Sequence, residues 1–218
     1  SQARLNSRKA AIRSGPNMSG RNSARACSNA VNADRVRSGL LTDAFIAVAE
    51  SHGRYLAGHE GCPAHKVRVI PNGVDVARCN SSLSVAQARE RLGLPAWARV
   101  AGYVGRFSSE KRVQQIAESI NWLPQDWHLL FVGDGRDKIE PSDRVHVLPP
   151  TRNVGDIWRA CDVAVVASEA EGYCLSAVEA LAAGVPLAST QVGIMRDLPT
   201  EYVPIEQPAN PQAIAAAI

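Results

Sequence analysis

VAGYVGRFSSEKRVQQIAESINWLPQDWHLLFVGDG, residues 100–135, decides the fold. It opens on a continuous apolar run (100–105), passes through a polar loop led by glycine, and continues as VQQIAESINWL, with helical spacing of its apolar residues. A second apolar run, HLLFVG (128–133), closes the unit. Continuous rather than alternating apolar runs are expected of strands covered on both faces. Two such strands joined through a helix pair in parallel.

The same alternation extends outward in both directions. Upstream, AFIAVA (44–49) and KVRVI (66–70) flank the helix-like HGRYLAGHEG. Downstream come VHVL (145–148), VAVVAS (163–168) and PLAST (186–190), separated by VGDIWRACD and LSAVEALAAG. The expected fold is therefore α/β, a doubly wound parallel sheet. Ser84 and Gln87 make a capping box for AQARERL, which Gly93 and Pro95 end. Pro211 stands at the first position of a last helix, ANPQAIAAAI. The polar stretch ARCNSSLS (77–84), with Leu83 its one expected core residue, reads as a linker. This divides the chain into 1–80, a partial first domain with its linker, and 81–218, a nearly complete second domain.

Bulk composition excludes several classes. No apolar run approaches the roughly 20 residues that span a bilayer. The five cysteines, Cys27, Cys62, Cys79, Cys161 and Cys174, follow no CxxC spacing and read as reduced thiols of a cytoplasmic protein. Residues 1–40 carry eight Lys/Arg against Asp34 alone, or +7, and the remainder sixteen against twenty, or −4. That basic arm suits nucleic acid, anionic lipid or a phosphorylated substrate, but it has no aromatic residue to stack on bases, so a nucleic-acid partner is not expected. HEGCPAHK (59–66) spaces two histidines around a cysteine; no fourth ligand lies nearby, and the stretch reads as a turn rather than a metal site.

Ligands of open parallel sheets bind beyond the carboxyl ends of the strands. There GRFSSEKR places Lys111 and Arg112 in the expected first turn of a helix starting near Ser109, with Gly105 and Arg106 just upstream. Cations at a helix N-terminus are unfavourable by about 0.3–1 kcal/mol each. Either the helix is merely exposed or the loop holds an anion such as a diphosphate. FVGDG lacks the third glycine of a dinucleotide fingerprint, and GRFSSEKR lacks the glycine before the lysine of a Walker A loop.

EGYCLSAVE (171–179) is the other distinctive loop. Between Gly172 and Met195, Glu179 is the only charged side chain. A helix starting at Cys174 or Leu175 would bury Leu175, Val178, Leu181 and Ala182, leave Glu179 at that stripe's edge, and set Glu171 at its mouth. Both carboxylates would then face one cleft and accept hydrogen bonds from hydroxyls.

VIPNGVD (69–75), GRFSSEK (105–111), FVGDG (131–135), CDVAVVAS (161–168) and EGYCLSAVEALAAGVPLAST (171–190) resemble, in order and spacing, the retaining GT-B glycosyltransferases of group 1, family 4-like. The resemblance covers about residue 43 to the end. It implies two Rossmann-like domains facing a cleft, the C-terminal one binding a nucleotide-sugar donor and the N-terminal one the acceptor. It implies further that Arg106 and Lys111 neutralise the donor diphosphate, that Glu171 works at the transferred sugar, and that Glu179 holds the ribose. Gly105, Gly172 and the backbone of Tyr173, Cys174 and Leu175 would complete the donor site. The implied reaction is metal-independent hexosyl transfer to a hydroxyl of a sugar, a lipid-linked or another acceptor. The donor, linked to UDP, GDP or ADP, is a substrate rather than a cofactor. The implied place is the cytoplasm, at the inner face of the membrane where the acceptor is lipid-linked.

Cys174 stands where the family often has glycine, PPTRN (149–153) where a glycine usually opens the loop, and TQVGIMRD (190–197) has one glycine where a pair is common. The acceptor-side glycine-rich loop and histidine and the closing C-terminal helix have no counterpart. The chain therefore reads as a fragment, inactive in isolation. A non-catalytic nucleotide-sugar-binding module, an epimerase and a phosphorylase remain as alternatives.

Overall fold

The computed structural model describes residues 42–198 and 201–218. The basic arm and Cys27 lie outside the described residues. Asp43–Ile218 form one compact unit with two sheets.

The smaller sheet pairs β1 (Phe45–Ala47) and β2 (Val67–Val69) in parallel, with helix α1 (Glu50–Gly58) as the crossover. A short helix, α2 (Val76–Cys79), capped by the Asp75 carboxylate, leads to α3 (Val85–Arg91). The Ser84–Gln87 capping box is formed in both directions.

The larger sheet comprises β3 (Arg99–Val104), β4 (Trp127–Val132), β5 (Val145–Leu148), β6 (Val163–Val166), β7 (Leu187–Ser189) and β8 (Val203–Pro204). Between them run α4 (Val113–Glu118), α5 (Val154–Ala160) and α6 (Leu175–Ala182), and α7 (Pro211–Ala217) closes the described chain. All neighbours are parallel, in the order β5-β4-β3-β6-β7-β8. This is the 3-2-1-4-5-6 order of doubly wound folds, whose direction of winding reverses between the first and fourth strands. Here that switch lies between β3 and β6. All six residues of β4 are buried, as a strand covered on both faces requires. One apolar layer, around Trp158, Leu130 and Met195, covers one face; the other, around Phe131, Ile116 and Ile214, covers the opposite face.

Three expectations need correction. The stretch 77–84 is more than a linker. Cys79 is 2% exposed, and Ser81 donates a hydrogen bond to Asp156 at the start of α5. Gly155 lies so close to this segment that a Cβ there would collide with the Asn80 carbonyl oxygen. On α6 the buried residues are Ala177 and Ala180, while Leu175 is 47% exposed. Small side chains let this helix sit close to the sheet, and Leu175, in its first turn, projects past the strand ends. Finally, GRFSSEKR does not start one continuous helix. Ser109–Lys111 form a single 3-10 turn, Arg112 adopts the left-handed conformation (φ 53°), and α4 begins only at Val113.

Candidate functional site

The loops leaving β3 and β6 meet at the switch point, and the chain keeps them in place by close backbone crossing. A Cβ at Gly133 would strike the Gly105 carbonyl oxygen, and one at Gly135 the Phe107 carbonyl oxygen. The glycines of FVGDG therefore serve packing: the β4 loop lies directly against the β3 loop. Beneath them Tyr103, Phe107 and Phe131 form an aromatic trio, with centroids 5.9–6.2 Å apart. The Tyr103 hydroxyl donates to the Arg106 carbonyl (2.8 Å), fixing the turn that presents Arg106. Burial raises the Tyr103 pKa, keeping that hydroxyl a donor.

Lys111, Glu171 and Ser168 converge on one atom. Lys111 Nζ lies 2.7 Å from Glu171 Oε1, with both side chains 15% exposed, and Ser168 Oγ donates to the same oxygen at 2.8 Å. Ser168 is itself buried, its carbonyl accepting from the Thr190 hydroxyl at 2.8 Å. Glu171 thus has one oxygen taken by two internal donors and a second, Oε2, with no partner among the described residues. Arg112 does not join this group. Its guanidinium bonds the Ala167 carbonyl (3.1 Å) and pairs with Glu169 (3.4 Å), bracing the β6 loop from behind.

A cleft of about 320 Å³ opens over this cluster. Gly105, Arg106, Lys111, Glu171, Tyr173, Cys174 and Leu175 all line it, seven of the nine residues singled out from sequence. Gly172 lies on the far side of the same loop, where a Cβ would meet nothing within 4 Å. Glu179 does not line this cleft. It sits one turn beyond Leu175 on the same helix face, half-buried, near Arg78 and Cys79 of α2. Burial raises its pKa, an effect that the Arg78 charge opposes, and it makes no hydrogen bond or ion pair among the described residues. A carboxylate partly desolvated, with only a nearby charge and no hydrogen bond to offset this, favours new donors.

Cys174 caps α6 in the left-handed conformation, φ 78°. This explains why glycine suits the position: a side chain there carries strain of order 1 kcal/mol. Burial foremost, with Glu171 adding to it, pushes the Cys174 thiol up to about 11, so it stays protonated. The Tyr173 carbonyl accepts from Ile194 N–H (2.9 Å), at a place where Gly193 (φ 53°) leaves room: a Cβ there would lie 2.5 Å from that carbonyl oxygen. The Tyr173 hydroxyl donates to the Asn72 carbonyl (2.7 Å), joining the glutamate loop to PNG of 71–73.

Sequence reasoning did not assign site positions to Asn72, Tyr103 or Ser168, which also line the cleft. Ser168 ends an apolar strand three residues before Glu171, a spacing that could have flagged it; Tyr103 looked like any strand aromatic. No group of three or more His, Cys, Asp or Glu is placed to hold a metal ion among the described residues.

Residues 98–218 match the family model described as glycosyl transferases group 1, and residues 25–78 match that of glycosyltransferase family 4. The chain belongs to the group 1 glycosyltransferases. Among curated relatives, the teichuronic acid biosynthesis glycosyltransferase TuaC of Bacillus subtilis is 34% identical over 155 residues, covering 69% of this chain and 40% of the relative. The D-inositol 3-phosphate glycosyltransferase of Xylanimonas cellulosilytica is 30% identical over 175 residues, covering 71% and 42%. This group 1 chain thus spans well under half the length of either. Among solved structures, Anabaena HepE in complex with UDP-glucose superposes with TM-score 0.73 at 21% identity, over 85% of this chain and 56% of that one. Sucrose-phosphate synthase of Thermosynechococcus elongatus gives 0.71 at 26%, over 85% and 51%. The architecture is that of the GT-B glycosyltransferases.

Proposed function

We propose that this chain supplies the donor-binding half of a retaining, metal-independent hexosyl transfer from a nucleotide-diphosphate sugar to a hydroxyl acceptor. The observation that carries the reading is the convergence of Arg106, Lys111 and Glu171 on one cleft at the switch point. Residues 81–218 form the donor domain, and 1–80 belong to the acceptor side and its linker. Arg106 and Lys111 meet the diphosphate, supplying the positive charge that a metal ion supplies elsewhere. Lys111 is shared between Glu171 and the phosphate, so donor binding draws on a cation already in place. Glu171, held through Oε1, turns Oε2 to the sugar hydroxyls. Glu179 takes the ribose diol, and the first N–H groups of α6 take the distal phosphate. In this reading no residue is given the role of covalent nucleophile, and rate enhancement comes from leaving-group stabilisation and positioning.

HepE binds UDP and UDP-glucose. A uridine diphosphate sugar is therefore the first donor to test, and the cytoplasm, where such donors are made, the proposed place of action. The experiment is a thermal-shift panel of UDP, GDP and ADP with their sugars. A ligand at 100 times its Kd stabilises the fold by about 2.7 kcal/mol. One nucleotide should raise the melting temperature and its sugar should raise it further. No shift with any of them, confirmed by calorimetry, would sink the donor-site reading.

A further inference from the structure

Two clefts meet at Glu171. On the side away from the diphosphate residues, a second cleft of about 350 Å³ is walled by Ser51, His52 and Tyr55 of α1, by Gly172, and by Arg196 beyond β7. Glu171 is the one residue that both clefts share. Transfer between two molecules requires their reacting atoms in contact. If the donor sugar ends at Glu171, as proposed above, the second cleft is where the receiving hydroxyl must come from.

The lining of that cleft also says what kind of molecule suits it. Its carboxylate, Glu171, is already neutralised by Lys111. Behind it, Asp197 is matched by Arg54 at 3.0 Å and accepts from the Ser51 N–H and hydroxyl. Arg196 is what remains. It is exposed, it uses only Nε on the Gln191 carbonyl (3.1 Å), and it has no carboxylate partner among the described residues. The cleft therefore carries one uncompensated positive charge with a guanidinium's planar set of donors. Tyr55, 43% exposed and backed by stacking on His59, offers a ring face for the apolar side of a sugar. His52 adds its ring to the wall, with Nδ1 buried beneath it.

We infer that this second cleft binds the acceptor, that the acceptor is a sugar bearing an anionic group, phosphate or carboxylate, and that Arg196 selects it. The inference rests on the donor-site reading, and the experiment keeps the two apart. Calorimetry is run on the whole chain saturated with UDP, which occupies the diphosphate residues, titrating glucose 6-phosphate, glucuronate and, as the neutral control, glucose. At least one anionic sugar should bind ten times or more tightly than glucose, and whichever does identifies the group as phosphate or carboxylate. R196A and R196Q should bring that sugar down to the glucose level while leaving UDP affinity within about twofold, which also shows that they are folded. R196K should restore part of the preference. Equal binding of all three sugars, no binding of any, or an anionic preference that survives in R196A overturns the inference with the donor site intact. Failure of UDP itself to bind overturns the donor reading and the inference with it.

Discussion

Glu171 and Glu179 stand eight positions apart in an otherwise uncharged stretch, yet the fold treats them in opposite ways. Glu171 lies in a loop and is held before any ligand arrives, by Lys111 and Ser168 on one oxygen. Glu179 lies on a helix, half-buried and unmatched, with its pKa raised by burial. A carboxylate that must point at a reacting centre benefits from being fixed in advance. One that only grips hydroxyls can wait for them, at the expense of some stability meanwhile. The contrast suits the roles proposed for them, a geometric task for the first and a binding task for the second.

The strongest way to break this comparison is K111A. It removes the proposed phosphate contact and leaves Glu171 with a single donor. Loss of a charge-assisted bond of about 1.5–3 kcal/mol, together with that disturbance, should weaken UDP binding about 100-fold in calorimetry. A change below threefold would remove Lys111 from the donor site. E179A comes next, with an expected loss of about 10- to 100-fold in UDP affinity. E179Q carries an independent signature in the unliganded chain. Because folding raises the Glu179 pKa, its penalty is absent below the unfolded value and appears as pH rises through the folded one. E179Q should therefore match the parent in melting temperature near pH 4 and exceed it at pH 7; the reverse order would show that Glu179 is already satisfied.

S168A should be milder and more selective. It deletes a hydrogen bond worth about 0.5–1.5 kcal/mol, so binding of a UDP-sugar should fall about threefold to tenfold while UDP alone is unaffected. Equal loss for both ligands would mean that Ser168 supports the loop rather than the carboxylate. The smallest effect is expected for C174G. Relief of left-handed strain opposes loss of a buried thiol, so denaturant unfolding should shift by no more than about 1 kcal/mol.

Much of this was legible in the chain itself. The apolar runs gave all but one of the strands, because a strand buried on both faces cannot hide its composition; β8, two exposed residues at the edge, had no such run to show. The loops were legible because Lys111 and Arg112 stand at an expected helix N-terminus, where cations are unfavourable, and because Glu179 is the only charge between Gly172 and Met195. What composition could not convey was which charges meet. Arg112 and Lys111 are adjacent in sequence, and only the left-handed turn at Arg112 sends one behind the loop and the other into it. The stripe on α6 misled for a related reason: helical periodicity identifies a face, while the depth to which each end of that face is buried depends on where the sheet stops.

Asp197 has a consequence of another kind. Burial works to raise its pKa, but the Ser51 hydrogen bonds and the Arg54 charge outweigh this and hold it below the usual carboxylate range. A depressed carboxylate contributes stability above its unfolded pKa and withdraws it as pH falls through the folded value. The N-terminus of α1 has no side-chain cap of its own and relies on this carboxylate, 146 residues away. Acid should therefore loosen the first turn of α1, and amide exchange at Ser51 should quicken as pH falls through the folded value.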